Sequence, residues 1–247
     1  MTVGETGVAK PQNDQRPVLV FDVNETLLDI DALLPLFEGV FGQPNRMREW
    51  FAQLILYSQA LSLSGRFAPF EALGGGVLRM LGEVHGAAVS DADVRALGGA
   101  ISTLPIHPDV APALEQLASA GFRMITLTNS SGISARDPLA DAGVASYFEH
   151  RFTVASIERF KPSSATYQQV TDKLGVEPEC CMLIAAHTWD TLGAQAMGWE
   201  AALITRGLNA PLKVQNVPFP DFVEADLADL SSALIAWQKA QEKTVKT

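Results

Sequence analysis

Soft metal ligands are scarce in this chain, whose 247 residues include two cysteines and four histidines. The cysteines are neighbours, Cys180 and Cys181, in the apolar stretch "CCMLIAA". Adjacent strand residues point to opposite faces, which argues against a structural disulfide between them. With no other soft ligand nearby they also argue against zinc, and a reducing cytoplasm is the expected setting. No apolar run reaches the roughly eighteen residues of a membrane helix. Residues 1–16 lack the apolar stretch of a signal peptide and read as a flexible tail.

Positive charge is also short, with 18 Lys and Arg against 28 Asp and Glu, a formal net charge of −10 and a pI near 4.8. That balance opposes non-specific binding to nucleic acid or to anionic membranes. It leaves a small anionic substrate open, because a local pocket can be positive inside an acidic surface.

What the chain does have is apolar residues in abundance, 47% of the total, enough for one large domain or a domain with an insert. Short apolar runs at 18–22, 122–128, 152–155, 181–185 and 201–205 alternate with helical patterns, which predicts an α/β fold built on a parallel sheet. About a hundred residues separate the first two runs, far more than an ordinary crossover needs. Within them, 32–57, 70–85 and 91–101 have helical periodicity, separated by Gly65, Gly74–Gly76 and Gly86. The predicted organisation is a core of 17–32 and 104–237, a helical cap of 33–103 and a flexible tail of 238–247. Asp109 and Ser163 or Ser164 are predicted helix caps, with Gly121 and Gly175 as helix stops.

In open parallel sheets, ligands sit beyond the carboxyl ends of the strands. Asp22 closes the first strand in "LVFDVNETLLD", and Thr128 and Asn129 close the second in "ITLTNSSG". Lys161 follows the third in "ERFKPSS", while His187 and Asp190 follow the fourth in "LIAAHTWD". Each has an ordinary reading by itself: a sheet-end carboxylate, turn formers, a solvated lysine, a structural histidine. Together they bring an acid, a hydroxyl–amide pair, a lysine and a His/Asp pair to one crevice.

This ordered set resembles the haloacid dehalogenase superfamily. The segments "WFAQLILYSQALSLSGRFAPF", "FKPSSATY" and "HTWDTLGAQAMGW" with "ITR" resemble its type II L-2-haloacid dehalogenases in particular. The resemblance implies a Rossmann-like core with a helical cap, a cytoplasmic homodimer, and hydrolysis of small 2-haloacids by water without metal or cofactor. It implies that Asp22 displaces the halide to form an ester, which water then cleaves to a 2-hydroxy acid. Lys161, oriented by Asp190, would keep Asp22 ionised. Backbone N–H groups at Val23 and Asn24, with the Thr128 hydroxyl, would hold the substrate carboxylate. Asn129, Phe70 and Trp189 match positions around the halide, and Tyr167 matches a polar position near the substrate.

Asn24 separates two chemistries on such a fold. A phosphatase of the superfamily uses an acid at that position to protonate its leaving group, and an amide cannot do so. Ala186 stands where such enzymes place a metal-binding acid. A halide leaves as a stable anion and needs neither. Two alternatives stay open: a phosphatase or phosphonate hydrolase of the same superfamily, and a non-catalytic protein that binds small carboxylates.

Two positions depart from the resemblance. Phe51 stands where an arginine usually meets the halide, and Arg48, two residues before Trp50, is expected to face away, leaving Asn129, backbone amides or Arg66 for that task. Glu25 and His187 replace the usual Gly and Asn, and they are predicted to pair as a dyad that activates the ester-cleaving water. His85, His107 and His150 read as surface or structural residues.

Overall fold

All four residues of β1 (Val18–Phe21) are buried, and they face two different cores in alternation. Leu19 and Phe21 enter a large core, while Val18 and Val20 enter a smaller one with Ile125, Leu127, Tyr167, Val170 and Ala194. A strand buried on both faces reads as an unbroken apolar run, which is why β1 and β4 were visible in the sequence. In the computed structural model, which describes residues 16–132 and 136–245, the helices follow from this two-sided burial.

The sheet contains β1, β2 (Met124–Thr128), β3 (His150–Thr153), β4 (Cys181–Ala185), β5 (Glu200–Ile204) and β6 (Phe222–Glu224). Its order is β3-β2-β1-β4-β5-β6 and every pairing is parallel. The chain order therefore switches between β1 and β4, the place where such sheets open a ligand crevice. β3 begins two residues earlier than the pattern suggested. β6 was not predicted, because its three half-buried residues, Phe-Val-Glu, carry too little periodicity to register.

Between β1 and β2 lie α1 (Leu34–Phe41), α2 (Arg46–Leu63), α3 (Phe70–His85), α4 (Asp91–Ile101) and α5 (Val110–Ser119). The single helix expected over 32–57 is two, divided at Gly42, whose φ of 66° ends α1. Gly74–Gly76 lie inside α3 instead of dividing it. Gly74 lets α2 approach closely: its carbonyl accepts from Trp50 Nε1 at 2.9 Å, and a Cβ there would meet the Trp50 ring at 3.2 Å. Gly121 and Gly175, with φ of 82° and 63°, do end their helices.

After β2 come α6 (Pro138–Asp141), α7 (Ser164–Leu174), α8 (Thr188–Ala196) and α9 (Leu227–Val245). α9 continues through the segment expected to be a polar tail. Of the predicted tail at 1–16 only Arg16 is described, and it donates to the Ala120 carbonyl at 2.6 Å. Asp109 and Ser163 stand at the N-cap positions of α5 and α7 as expected, but neither side chain makes a capping hydrogen bond. Asp109 instead takes both Arg206 Nη groups, at 2.9 and 2.7 Å, and the Leu227 N–H at 2.7 Å, so it fastens α5 to α9. Among the described residues no helix is long and apolar enough to cross a membrane.

Candidate active site

Register brings the strand ends together. Phe21 pairs with Thr126 on one side and Ile184 on the other, so Asp22 emerges between the carboxyl ends of β2 and β4. The Asp22 N–H donates to Ile184 O at 3.0 Å, fixing the carboxylate at this switch point.

Lys161, fully buried, reaches in from the loop after β3. Its Nζ donates to Asp22 Oδ1 at 2.7 Å, Asp190 Oδ2 at 2.5 Å and Leu127 O at 3.0 Å. Three acceptors use all three ammonium protons. Its backbone N–H donates to Asn129 Oδ1 at 2.9 Å, which leaves Asn129 Nδ2 buried without a partner. Burial disfavours the ammonium, but Asp190 and Asp22 outweigh it and raise the lysine pKa above its ordinary value. Burial likewise raises the Asp22 carboxyl, yet the charge of Lys161, joined by His187, holds it well below the usual carboxylate range. Asp22 is thus an ionised, nearly water-free carboxylate, which is what a nucleophile requires.

A dyad stands on the other side. His187 Nε2 lies 2.8 Å from Glu25 Oε2, and Nδ1 of the same ring lies 3.3 Å from Asp22 Oδ2. The second contact is an ion-pair separation without hydrogen-bond alignment, so Nδ1 is buried with no hydrogen-bond partner. Burial pulls the imidazole pKa down, but its contacts with Asp22 and Glu25 win and push it up to about 9. Phe51 lies against the ring at 5.5 Å, and Trp189 stacks beside it at 5.0 Å and 20°. Trp189 also sits 5.7 Å from Lys161 Nζ.

Most of the other sequence-predicted residues are close by. Val23, Asn24, Thr128 and Ser130 line a cavity of about 630 Å³ together with Gly98 and Ser102 of α4 and its end. Asn24 Nδ2 donates to Ser130 Oγ at 3.1 Å, and Thr128 Oγ1 accepts from Ser130 N at 3.2 Å. Phe51 and Phe70 enclose a smaller, apolar cavity of about 30 Å³ with Asn24, Ser130 and Trp50.

Tyr167 is elsewhere. It belongs to the smaller core, on the face covered by α7 and α8, and its hydroxyl donates to Asp190 Oδ1 at 2.7 Å. Burial, with Asp190 adding to it, keeps the Tyr167 phenol pKa well above its ordinary value, so it stays a neutral donor. Its place is behind Asp190, whose Oδ1 its hydroxyl holds. Gly193 makes this possible, since a Cβ there would fall 2.3 Å from the Tyr167 oxygen. Arg66 is exposed in the loop after α2.

Three contributors escaped the sequence reading. Thr26 Oγ1 donates to Asp22 Oδ2 at 2.7 Å and accepts from Ala186 N at 2.9 Å, and its four-residue spacing from Asp22 was the available signal. Arg48 binds Glu25, and its Nη2 also binds Asp31 Oδ1 at 2.6 Å. Measured from Phe51, three residues away, it lies on the same helix face. His107 Nε2 lies 3.1 Å from the Glu25 carbonyl oxygen, a contact without any sequence signature.

The donor set does not suit a divalent cation. Two cationic groups, the Lys161 ammonium and the His187 imidazolium, lie against Asp22, Lys161 also bonds Asp190, and positions 24 and 186 offer an amide and a methyl instead of carboxylates.

Residues 17–198 match the family described as haloacid dehalogenase-like hydrolase. Among curated relatives, (S)-2-haloacid dehalogenase H-109 of Pseudomonas putida is 27% identical over 190 residues, covering 76% of this chain and 85% of that protein. An (S)-2-haloacid dehalogenase of Pseudomonas putida is 26% identical over 225 residues, covering 88% and 96%. Among solved structures, L-2-haloacid dehalogenase from Xanthobacter autotrophicus aligns with a TM-score of 0.79 at 25% identity, covering 89% and 98%. The match of the family across most of the chain, on the sheet order and strand-end residues described above, means that this protein belongs to the haloacid dehalogenase-like hydrolases.

Proposed function

We propose that this chain is a hydrolase of carbon–halogen bonds that converts small 2-haloalkanoic acids to 2-hydroxy acids, with 33–103 as its cap. The observation that carries the reading is a buried Asp22 ionised by Lys161, beside Asn24 and Ala186, where a phosphatase would need acids. The (S)-2-haloacid dehalogenases among its relatives support the same substrate class.

In the first step an Asp22 oxygen attacks C2 of the substrate from behind, and the halide departs with the C–X electron pair. Asn129 Nδ2, buried and unpaired, and Trp189 are the groups proposed to meet the halide. Val23 and Asn24 N–H groups and Thr128 are proposed to hold the carboxylate. Lys161 gains nothing by moving, since its three bonds already position the nucleophile.

The second step uses the dyad. While Asp22 is anionic, His187 is an imidazolium. Esterification removes the Asp22 charge, one of the two interactions that hold the proton on the ring, so the pKa falls and His187 becomes a base. It then takes a proton from water as the oxygen adds to Asp22 Cγ. Collapse of the adduct breaks the bond from Cγ to the substrate oxygen, the imidazolium returns its proton to that oxygen, and the carboxyl proton left on Asp22 passes to His187, restoring the carboxylate–imidazolium pair. One water is consumed, and one proton and one halide are released. A homodimer is part of this reading.

Halide release from L- and D-2-chloropropionate in EDTA, beside a phosphatase assay with Mg²⁺, tests the proposal. Halide that appears despite EDTA and vanishes in Asp22→Asn agrees with it. Mg²⁺-dependent phosphate release without halide contradicts it.

A further inference from the structure

Glu25 is held in a conformation that an ordinary residue avoids. Its φ is 67°, in the left-handed region, although it is not a glycine and is only 3% exposed. Such backbone persists only where the surroundings over-determine it. Here the surroundings are explicit. His107 Nε2 lies 3.1 Å from the Glu25 carbonyl, and Arg206 Nε donates to the next carbonyl, Thr26 O, at 3.0 Å. The side chain is fixed at both oxygens, Oε1 by Arg48 and Oε2 by His187.

Arg48 comes from the helical insert, whereas Glu25 belongs to the turn that follows β1. Its second anchor, Asp31, is half exposed and lies before the insert begins. Gly207, at φ +56°, makes room for the pair: a Cβ there would come within 3.0 Å of Arg48 Nη2 and 3.4 Å of Glu25 Oε1. One turn further along α2, Phe51 packs on the His187 ring. A single face of α2 therefore grips both members of the dyad, Arg48 by the carboxylate and Phe51 by the imidazole.

From this arrangement we propose that Arg48 is a positioning residue for ester hydrolysis, fixing Glu25 so that the His187 ring keeps Nε2 toward the carboxylate and Nδ1 toward Asp22. The inference rests on the two-step reaction proposed above. A free Glu25 carboxylate could rotate about its side chain and give Nε2 either oxygen. With Oε1 taken by the guanidinium, only Oε2 is available, and the ring is aimed by a rigid partner. Burial raises the Glu25 carboxyl, but His187 and Arg48 prevail and lower its pKa, so the anion that orients the ring is kept. A simple brace between insert and sheet would not need a buried, left-handed Glu25.

Single-turnover mixing with L-2-chloropropionate separates the steps, with halide release reporting ester formation and 2-hydroxy acid release reporting its cleavage. For Arg48→Met, ester cleavage is predicted to slow by roughly tenfold or more, with ester formation within about threefold of wild type. The Asp22 adduct then accumulates in the intact mass. Arg48→Lys, which keeps a charge but not the fork, is predicted to slow cleavage less, and it carries the test if the Met variant does not fold. Arg48→Met combined with Glu25→Gln should cleave no more slowly than Glu25→Gln alone. Equal slowing of both steps, or unchanged cleavage, overturns the positioning role while leaving the proposed function standing. A wild-type protein that forms no Asp22 ester overturns the proposed function and this inference with it.

Discussion

His187 Nδ1 stands 3.3 Å from Asp22 Oδ2, so the group proposed to cleave the ester touches the group proposed to form it. One consequence is that the two titrations are tied: the charge state of Asp22 sets the proton affinity of His187. A family resemblance alone would not reveal this, since it depends on the side chains particular to positions 25 and 187.

The first prediction concerns kinetics against pH. In the free enzyme, NMR titration of His187 should give a pKa raised to about 9. The rate of ester cleavage should rise with pH and level off at a lower value, because the esterified Asp22 no longer holds the proton. Identical midpoints for the two would show that Asp22 does not control the ring.

Stability should carry the opposite pH trend. The folded His187 pKa lies above its ordinary value of 6.5, so its contribution is complete below pH 6.5 and is lost as pH rises through about 9. Tm is therefore predicted to fall across that window in wild type and to fall less in His187→Gln. Calorimetry at constant ionic strength measures it.

Removing Lys161 should be severe. Lys161→Met leaves Asp22 and Asp190 buried without their shared cation, a situation that costs about 3–5 kcal/mol. Urea unfolding should show that loss, and halide release should disappear.

Tyr167 offers a cleaner separation of binding from stability. Tyr167→Phe deletes the 2.7 Å bond to Asp190 Oδ1, with a predicted loss of about 1.5–3 kcal/mol. Because Tyr167 is behind Asp190, KM for the haloacid should stay at the wild-type value. A large rise in KM would return Tyr167 to the substrate side.

The sequence revealed the frame of this site well. Apolar runs ending in Asp22, Thr128 and Ala185 are legible because strands buried on both faces repeat apolar residues without interruption, and parallel strands deliver their ends to one side. The Glu25–His187 pairing was also readable, since both residues follow neighbouring strands of that crevice. Arg48, two residues from Trp50, does not share that residue's face, but it is three residues from Phe51 and shares the face that meets Glu25 and His187. His107 and the grip of Arg206 on Asp109 and Thr26 could not be read at all, since they join segments that only the tertiary fold brings together. β6 and the end of α9 were missed where short or polar segments gain their structure from neighbours, against their own composition.

Turnover in H₂¹⁸O followed by peptide mass spectrometry of the segment bearing Asp22 tests the central claim most directly. Attack of water at Asp22 Cγ predicts ¹⁸O in the Asp22 carboxylate after one turnover, and in His187→Ala an ester at Asp22 that persists about 10²–10⁴ times longer. Label found in the hydroxy acid product after the first turnover, with an unlabelled Asp22, would mean that water displaces the halide directly, and would contradict the account.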